Sequence, residues 1–275
     1  MTKNIKFFCT SHINIDYLNI YEHLNLIGCG PGTFDEKWKV ANTGNNINYK
    51  YLSYADLTAH YWIWHNYIKK NLNNDELVSF SQYRRHWVNQ NFDRNKKYSL
   101  KDFDSILLKE KKPEWCRYDS ILPSPFVFKK KNWERLKDFD FFNKKVSIKK
   151  QMFNSLGFSF PKIYKLLLSY LPQKLSEEFD NYISANNTLS AHGMYISQPK
   201  TLDNYMSTAF SWYEKCEEIV DPITKKKLID TPRFFQFLNE RFADFWFKSK
   251  TTWVTSPVCM YKKDKNEISL IGKII

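Results

Sequence analysis

The chain has 275 residues, 42 Lys+Arg against 29 Asp+Glu for a net charge of +13, and 17% aromatic residues. That length suits one large domain or two small ones, and so much aromatic surface excludes disorder as the main state. Seven glycines, with neither G-x-x-x-x-G-K-S/T nor G-x-G-x-x-G among them, argue against P-loop NTPases and standard dinucleotide-binding folds.

In chain order, Ile5 to Cys9 reads as a first buried strand running into Thr10-Ser11-His12. Leu24 to Ile27 reads as a second strand, closed by the glycine cluster Gly28-Cys29-Gly30-Pro31-Gly32. After the polar loop Asn42-Thr43-Gly44-Asn45-Asn46, Ser53 and Asp56 form an S-x-x-D capping signal. The helix that follows carries Leu57, Tyr61, Trp64 and Ile68 on one predicted buried face, with Thr58, Trp62 and His65 beside it. Glu76 to Ser81 reads as a buried strand leading directly into Gln82-Tyr83-Arg84-Arg85-His86-Trp87. Ser105 to Lys111 is predicted helical, and Tyr118 to Leu122 is a strand stopped by Pro123-Ser124-Pro125. Lys129 to Lys150 holds nine basic and three acidic residues. Helical spacing returns over Ile163–Tyr170, Ser176–Ile183, Leu202–Val220 and Phe234–Phe247, with a short strand at Met194–Ile196. The tail from Lys262 is either a last strand or a docking segment. Strands alternating with helices point to an α/β layered fold, in which ligands bind beyond the carboxyl ends of the strands.

The basic surplus invites a nucleic-acid partner, but only seven of the cations are Arg. The abundant Lys accompanies much Asn, Ile, Phe and Tyr, as AT-rich codons would produce, so the positions of the arginines say more than the total. Cysteines 9, 29, 116, 216 and 259 are too widely spaced for a zinc or disulfide framework and read as free thiols of a reducing compartment. The apolar run at the start is too short for a signal peptide, and Ile163 to Leu171 is too short to span a membrane. A cytoplasmic protein with at most peripheral membrane contact is expected.

Arg84 and Arg85, directly after a buried strand, have the residue type and placement to grip a diphosphate by paired N–H···O bonds; a structural ion pair is the alternative. Glu240-Arg241, read as opening the last long helix, offers a carboxylate that could act as a general base or could fasten the helix. Asp102-Phe103-Asp104 and Asp138-Phe139-Asp140 match D-x-D, but the first reads as a helix cap and the second as loop. His60 and His65 lack the H-E-x-x-H arrangement, so no metal site is expected.

Five ordered segments carry a resemblance. Asn42-Thr43-Gly44-Asn45-Asn46-Ile47 with Asp56-Leu57-Thr58-Ala59 and Tyr61-Trp62-Ile63-Trp64-His65-Asn66 resembles the "dTGdNIs … cELTalYWiWKN" stretch of a bacterial glycosyltransferase family of capsular and exopolysaccharide biosynthesis. Gln82 to Trp87 is similar to its "HYRRyF", Asp119 to Pro123 to "yDiIlP", Met194 to Ile196 to "NMFIm", and Arg233 to Arg241 to "R…GyLaERL". Asp56 stands where the family has Glu, Gln82 where it has His, Gly193 where it has Asn and Gln236 where it has Gly.

The resemblance implies one glycosyltransferase domain with a GT-A-like, Rossmann-type α/β fold and additional helices. Its donor half would cover about 1–125, its helical and acceptor half 126–250, and its tail 251–275. The implied activity is transfer of a sugar from a UDP-sugar, galactofuranose among the candidates, to a capsular or lipopolysaccharide glycan. Thr10 and His12 would lie near the base, and Asn45 and Asn46 near the ribose or sugar. Thr58 and Tyr83 would complete the donor side, with Arg84 and Arg85 on the diphosphate. Glu240 and Asp119 are the candidate bases, Glu240 favoured. His192, Gly193, Met194, Arg233 and Arg241 would face the acceptor. Arginines in place of D-x-D imply metal-independent catalysis without a cofactor, manganese or magnesium staying open. The implied partners are a nucleotide-sugar and a free or lipid-linked glycan at the cytoplasmic face of the inner membrane, without nucleic acid. A basic nucleic-acid-binding protein and a catalytically inactive sugar-binding subunit are the competing readings.

Overall fold

The computed structural model describes residues 4–89, 92–93, 96–129, 145–157, 160–218 and 222–271. Most of the basic stretch 129–150, including Asp138 and Asp140, lies outside them. The strands are β1 (Ile5–Ser11), β2 (Leu24–Gly28), β3 (Lys39–Val40), β4 (Leu77–Gln82), β5 (Arg85–Trp87), β6 (Ser120–Pro123), β7 (Phe126–Val127), β8 (Thr188–Leu189), β9 (Ile196–Ser197), β10 (Trp253–Ser256), β11 (Val258–Lys262) and β12 (Glu267–Ile271).

The main sheet runs in the order β10-β6-β9-β4-β1-β2-β3. β3, β2, β1 and β4 are mutually parallel, with Ser11 beside Gly28, Gly28 beside Val40 and Thr10 beside Gln82. All four therefore finish at one edge. β9 runs antiparallel between β4 and β6. β5, β11 and β12 continue from the end of β4 as an antiparallel arm. The tail thus belongs to the sheets: β10 pairs with β6, and β12 with β11.

Long helices cover one face, and the β11–β12 arm with short helical turns covers the other, which is why β1 and β4 read as nearly continuous apolar runs. Side chains alternate along a strand, so Phe8, Val78 and Phe80 enter one core while Phe7, Cys9 and Leu77 enter the other. The first core is lined by helices Leu57–Asn66, Ile148–Leu156, Phe160–Ser169, Gln173–Ala185, Pro199–Glu217 and Phe234–Lys250. Helix Leu57–Asn66 is buried over more than the predicted face, since Ala59, His60 and Ile63 are also inside. Among the described residues no helix is long and apolar enough to cross a membrane. Cys9, Cys29, Cys216 and Cys259 are buried free thiols, while Cys116 is exposed.

Two predicted elements differ. The helix predicted at Ser105–Lys111 occupies Phe103–Ile106 instead. Ser99 and Asp102 form a reciprocal capping box that starts the turn early. Leu108 then donates its N–H to the Trp87 carbonyl (3.0 Å), drawing the chain out of the helix. The strand predicted at Met194–Ile196 is reduced to Ile196–Ser197, because His192 (φ 79°) and Gly193 (φ 60°) hold the preceding backbone in the left-handed region.

Candidate functional site

The site is built where β4 ends. Tyr83 and Arg84 make a two-residue turn between Gln82, the last residue of β4, and Arg85, the first of β5. The arginines are therefore not successive residues of one extended strand. The turn is clamped by its backbone: Tyr83 N–H donates to the Thr10 carbonyl (2.9 Å), Tyr17 Oη to the Tyr83 carbonyl (2.5 Å), and Tyr261 N–H to the Arg84 carbonyl (2.8 Å). Arg84 is exposed, its guanidinium 5.1 Å from the centre of the Tyr83 ring. Arg85 turns inward, and its Nη1 donates to Gln82 Oε1 (2.5 Å). Gln82 Nε2 in turn donates to Asp56 Oδ2 (2.8 Å) and to the His192 carbonyl (2.8 Å).

The electrostatics bring further side chains to the same place. Burial lowers the pKa of Arg85, Arg84 and Arg233 add repulsion, and Glu240 and Asp56 oppose it. Burial raises the Asp56 carboxyl, against the pull of Arg233, His12 and Arg85. His192 is pushed down to about 3, chiefly by burial and then by Arg85 and Arg233, so it is neutral at physiological pH. Three arginines and two carboxylates are thus close enough to act on one another electrostatically at this strand end, together with His12 and His192. Backbone strain gathers here too: Ala55 (φ 48°), beside Asp56, His192 (φ 79°) and Arg233 (φ 60°) are three of the four non-glycine residues with left-handed backbone among those described. Such conformations cost about 1–3 kcal/mol each and concentrate at functional sites.

The glycine loop after β2 leaves the sheet at the same edge. Gly30 (φ 79°) leaves room for Tyr51, whose ring would lie 2.9 Å from an added Cβ. Asn48 pins this loop, accepting from Gly30 N–H (2.8 Å) and donating Nδ2 to the Gly30 carbonyl (3.3 Å).

Several expected site residues are engaged elsewhere. Thr10 and Thr58 are fully buried, Thr58 Oγ1 donating to the Ala55 carbonyl (2.9 Å), so both lie behind the recess surface. Asn45 Nδ2 meets His65 Nδ1 (3.0 Å), and Asn46 Nδ2 donates to the Gly44 carbonyl (3.0 Å). His12 is half-buried, edge-on to Tyr83 at 5.2 Å between ring centres. Asp119 is at the other end of the molecule. Ser120 and Val78 both face Ser197, which sets Asp119 level with the start of β4 rather than its end. Its Oδ2 accepts from Thr252 N–H (2.9 Å) and Oγ1 (2.7 Å), tying β6 to β10. It also lines a groove of about 520 Å³ with Leu175, Thr201, Asn204 and Trp246, away from the arginines.

On the acceptor side, Arg233 is exposed at the N-terminus of helix Phe234–Lys250, its N–H donating to the Leu52 carbonyl (2.7 Å). Glu240 lies in the second turn of that helix rather than opening it, because helical backbone begins six residues earlier. Arg241 points into the core. Its Nη1 donates to Glu240 Oε2 (3.0 Å), Nη2 to Gln151 Oε1 (2.8 Å), and its plane covers the Phe237 ring at 3.4 Å. Met194 is buried, and Gly193 packs against Gln236.

Asp102 serves as the cap expected of it, and Asp104 pairs with Lys109 (2.6 Å). Among the described residues no group of three His, Cys, Asp or Glu side chains could hold a metal ion. Asp56 was expected as a capping residue, yet its carboxylate makes no cap bond and goes to Gln82 instead. Asn48 and Tyr51 carried no sequence signal at all.

Comparison with known proteins adds the family and the fold. The family model described as a domain of unknown function (DUF4422) matches residues 7–251. A solved structure titled WbbM bifunctional glycosyltransferase superposes with a TM-score of 0.61 at 16% identity, covering 94% of this chain. This chain spans 45% of that one, less than half its length. The shared architecture is GT-A-like, and in this chain it is a largely parallel central sheet packed against helices. No curated protein matches the chain.

Proposed function

The chain belongs to the DUF4422 family, and we propose that it is a glycosyltransferase moving a sugar from a nucleotide-sugar to a glycan acceptor. The observation that carries this is the inward-facing Arg85 at the end of β4, with the charges of Arg84 and Arg233 around it. A departing nucleoside diphosphate needs positive charge and hydrogen-bond donors where its own negative charge develops. Three guanidinium groups supply both, so turnover is expected to persist without added manganese or magnesium. His12 and Tyr83 offer an aromatic edge for the base, and a UDP-sugar is the proposed donor.

Glu240 is the proposed base. It acts electrostatically on Arg85 and Asp56, and its side chain is held by Arg241. It would take the proton of the acceptor hydroxyl as that oxygen bonds to the anomeric carbon. The bond from that carbon to the diphosphate oxygen breaks in the same displacement, its electron pair leaving with the nucleoside diphosphate. The likeness to a glycosyltransferase fold supports this class of reaction. A lipid-linked glycan of capsule or lipopolysaccharide at the cytoplasmic face of the inner membrane is the proposed acceptor.

A thermal-shift panel of nucleotide-sugars, nucleoside diphosphates and nucleosides, with and without EDTA, tests the donor class. A ligand that binds only the folded state raises Tm by mass action. UDP and at least one UDP-sugar should raise it equally with and without EDTA, and uridine much less. No shift with any diphosphate would overturn the proposal.

A further inference from the structure

Gln82 is 4% exposed, yet its amide is fully used by groups from three parts of the chain. Nε2 donates to Asp56 Oδ2 and to the His192 carbonyl, and Oε1 accepts from Arg85 Nη1. Carboxylate and carbonyl oxygens can only accept, so they dictate which way the amide faces. Reversing it would set oxygen against oxygen at both contacts and N–H against N–H at the third. Oε1 must therefore face Arg85. Because that bond takes Nη1, the guanidinium edge formed by Nε and Nη2 is left without a protein partner. Nε itself is buried and unpaired. That edge has the geometry to make two parallel bonds to a phosphate.

A direct Asp–Arg pair would set the carboxylate charge on the guanidinium itself. The neutral amide keeps that charge one side chain away while still transmitting orientation. We propose that Asp56 and Gln82 are positioning residues: the carboxylate fixes the amide, and the amide aims Arg85 at the donor's diphosphate. The proposal rests on reading the strand ends as a diphosphate site.

Calorimetric binding of inorganic pyrophosphate and of UDP to the full chain tests it, with uridine as the control and Tm recorded for each variant. Gln82→Met keeps the length of the side chain but cannot accept from Arg85. It should weaken pyrophosphate and UDP about tenfold or more, as loss of a hydrogen bond to a charged group does, and leave uridine unchanged. Asp56→Asn keeps an acceptor oxygen for Gln82 Nε2 and should bind within about threefold of wild type, whereas Asp56→Ala should resemble Gln82→Met. The Asp56 pair makes the same comparison should Gln82→Met fail to fold. A merely structural role would lower Tm in these variants without changing the affinity of the folded protein. Wild-type affinity in both Gln82→Met and Asp56→Ala would overturn the relay alone. Failure of the wild-type chain to bind pyrophosphate or UDP would overturn the relay together with the diphosphate site.

Discussion

Arg84 and Arg85 are adjacent in sequence, yet their surroundings divide the work between them. Arg84 lies on the surface against Tyr83, where it can meet a ligand only from outside. Arg85 lies within the recess with one nitrogen held by Gln82 and its Nε unpartnered. Across the recess Glu240 is fastened to Arg241, which fixes its carboxylate but also makes it part of the fold. Replacing Glu240 by Gln keeps an acceptor for Arg241 but removes both the basicity and the charge paired with that buried guanidinium. The expected outcome is a fall in kcat on the order of 100-fold or more, with a lowered Tm and donor affinity close to wild type in the folded protein. Steady-state kinetics with both substrates varied would show it, and unchanged kcat would remove Glu240 from the mechanism.

At the scale of elements, the strands were the most legible part of the fold. β1 and β4 are buried on both faces, so their apolar runs had no other use. Helix Phe234–Lys250 was visible from its spacing, its start included, although Arg233 enters it in left-handed backbone without a capping side chain; Glu240, read as opening it, lies in its second turn. The turn at Tyr83-Arg84 contains no Gly, Asn, Asp or Pro, so nothing local announced it. Of the residues that the family resemblance implied, Tyr83, Arg84, Arg85, Arg233 and Glu240 come together. The partnership of Asp56, Gln82 and Arg85 was invisible, since 26 residues separate Asp56 from Gln82 and tertiary packing alone joins them. Asp119 shows the converse: its motif resembles a family signature, but strand direction carries it to the far edge of the sheet. Asp119→Asn should therefore lower Tm by a few degrees, about 2–4 °C for each kcal/mol lost, through its bonds to Thr252. UDP affinity by calorimetry should not change. A large loss of affinity would mean that Asp119 reaches the donor after all.

For the molecule as a whole, buried histidines set the response to acid. His60 is held down to about 3 by burial, and His86 to about 4, from an ordinary 6.5. Below pH 6.5 the unfolded chain takes up protons that the folded chain refuses. Stability present above that pH is therefore lost as pH falls toward the folded values. Asp56 and Asp244, raised by burial, act with the opposite sign, so the test is a difference between proteins. For His60 the loss amounts to about 2 kcal/mol at pH 5. The drop in Tm between pH 7 and pH 5 should be smaller in His60→Asn than in wild type, and an equal drop would contradict neutral burial of this ring.

The net charge of +13 is a property of the whole chain, but the chemistry rests on a few arginines at one sheet edge. The most direct test is release of nucleoside diphosphate from a panel of UDP-sugars, in EDTA, with and without a glycan acceptor. Release is expected from at least one donor, unaffected by EDTA, with Arg85→Gln slower by a factor on the order of 100. No release from any donor, or a wild-type rate in Arg85→Gln, would contradict it.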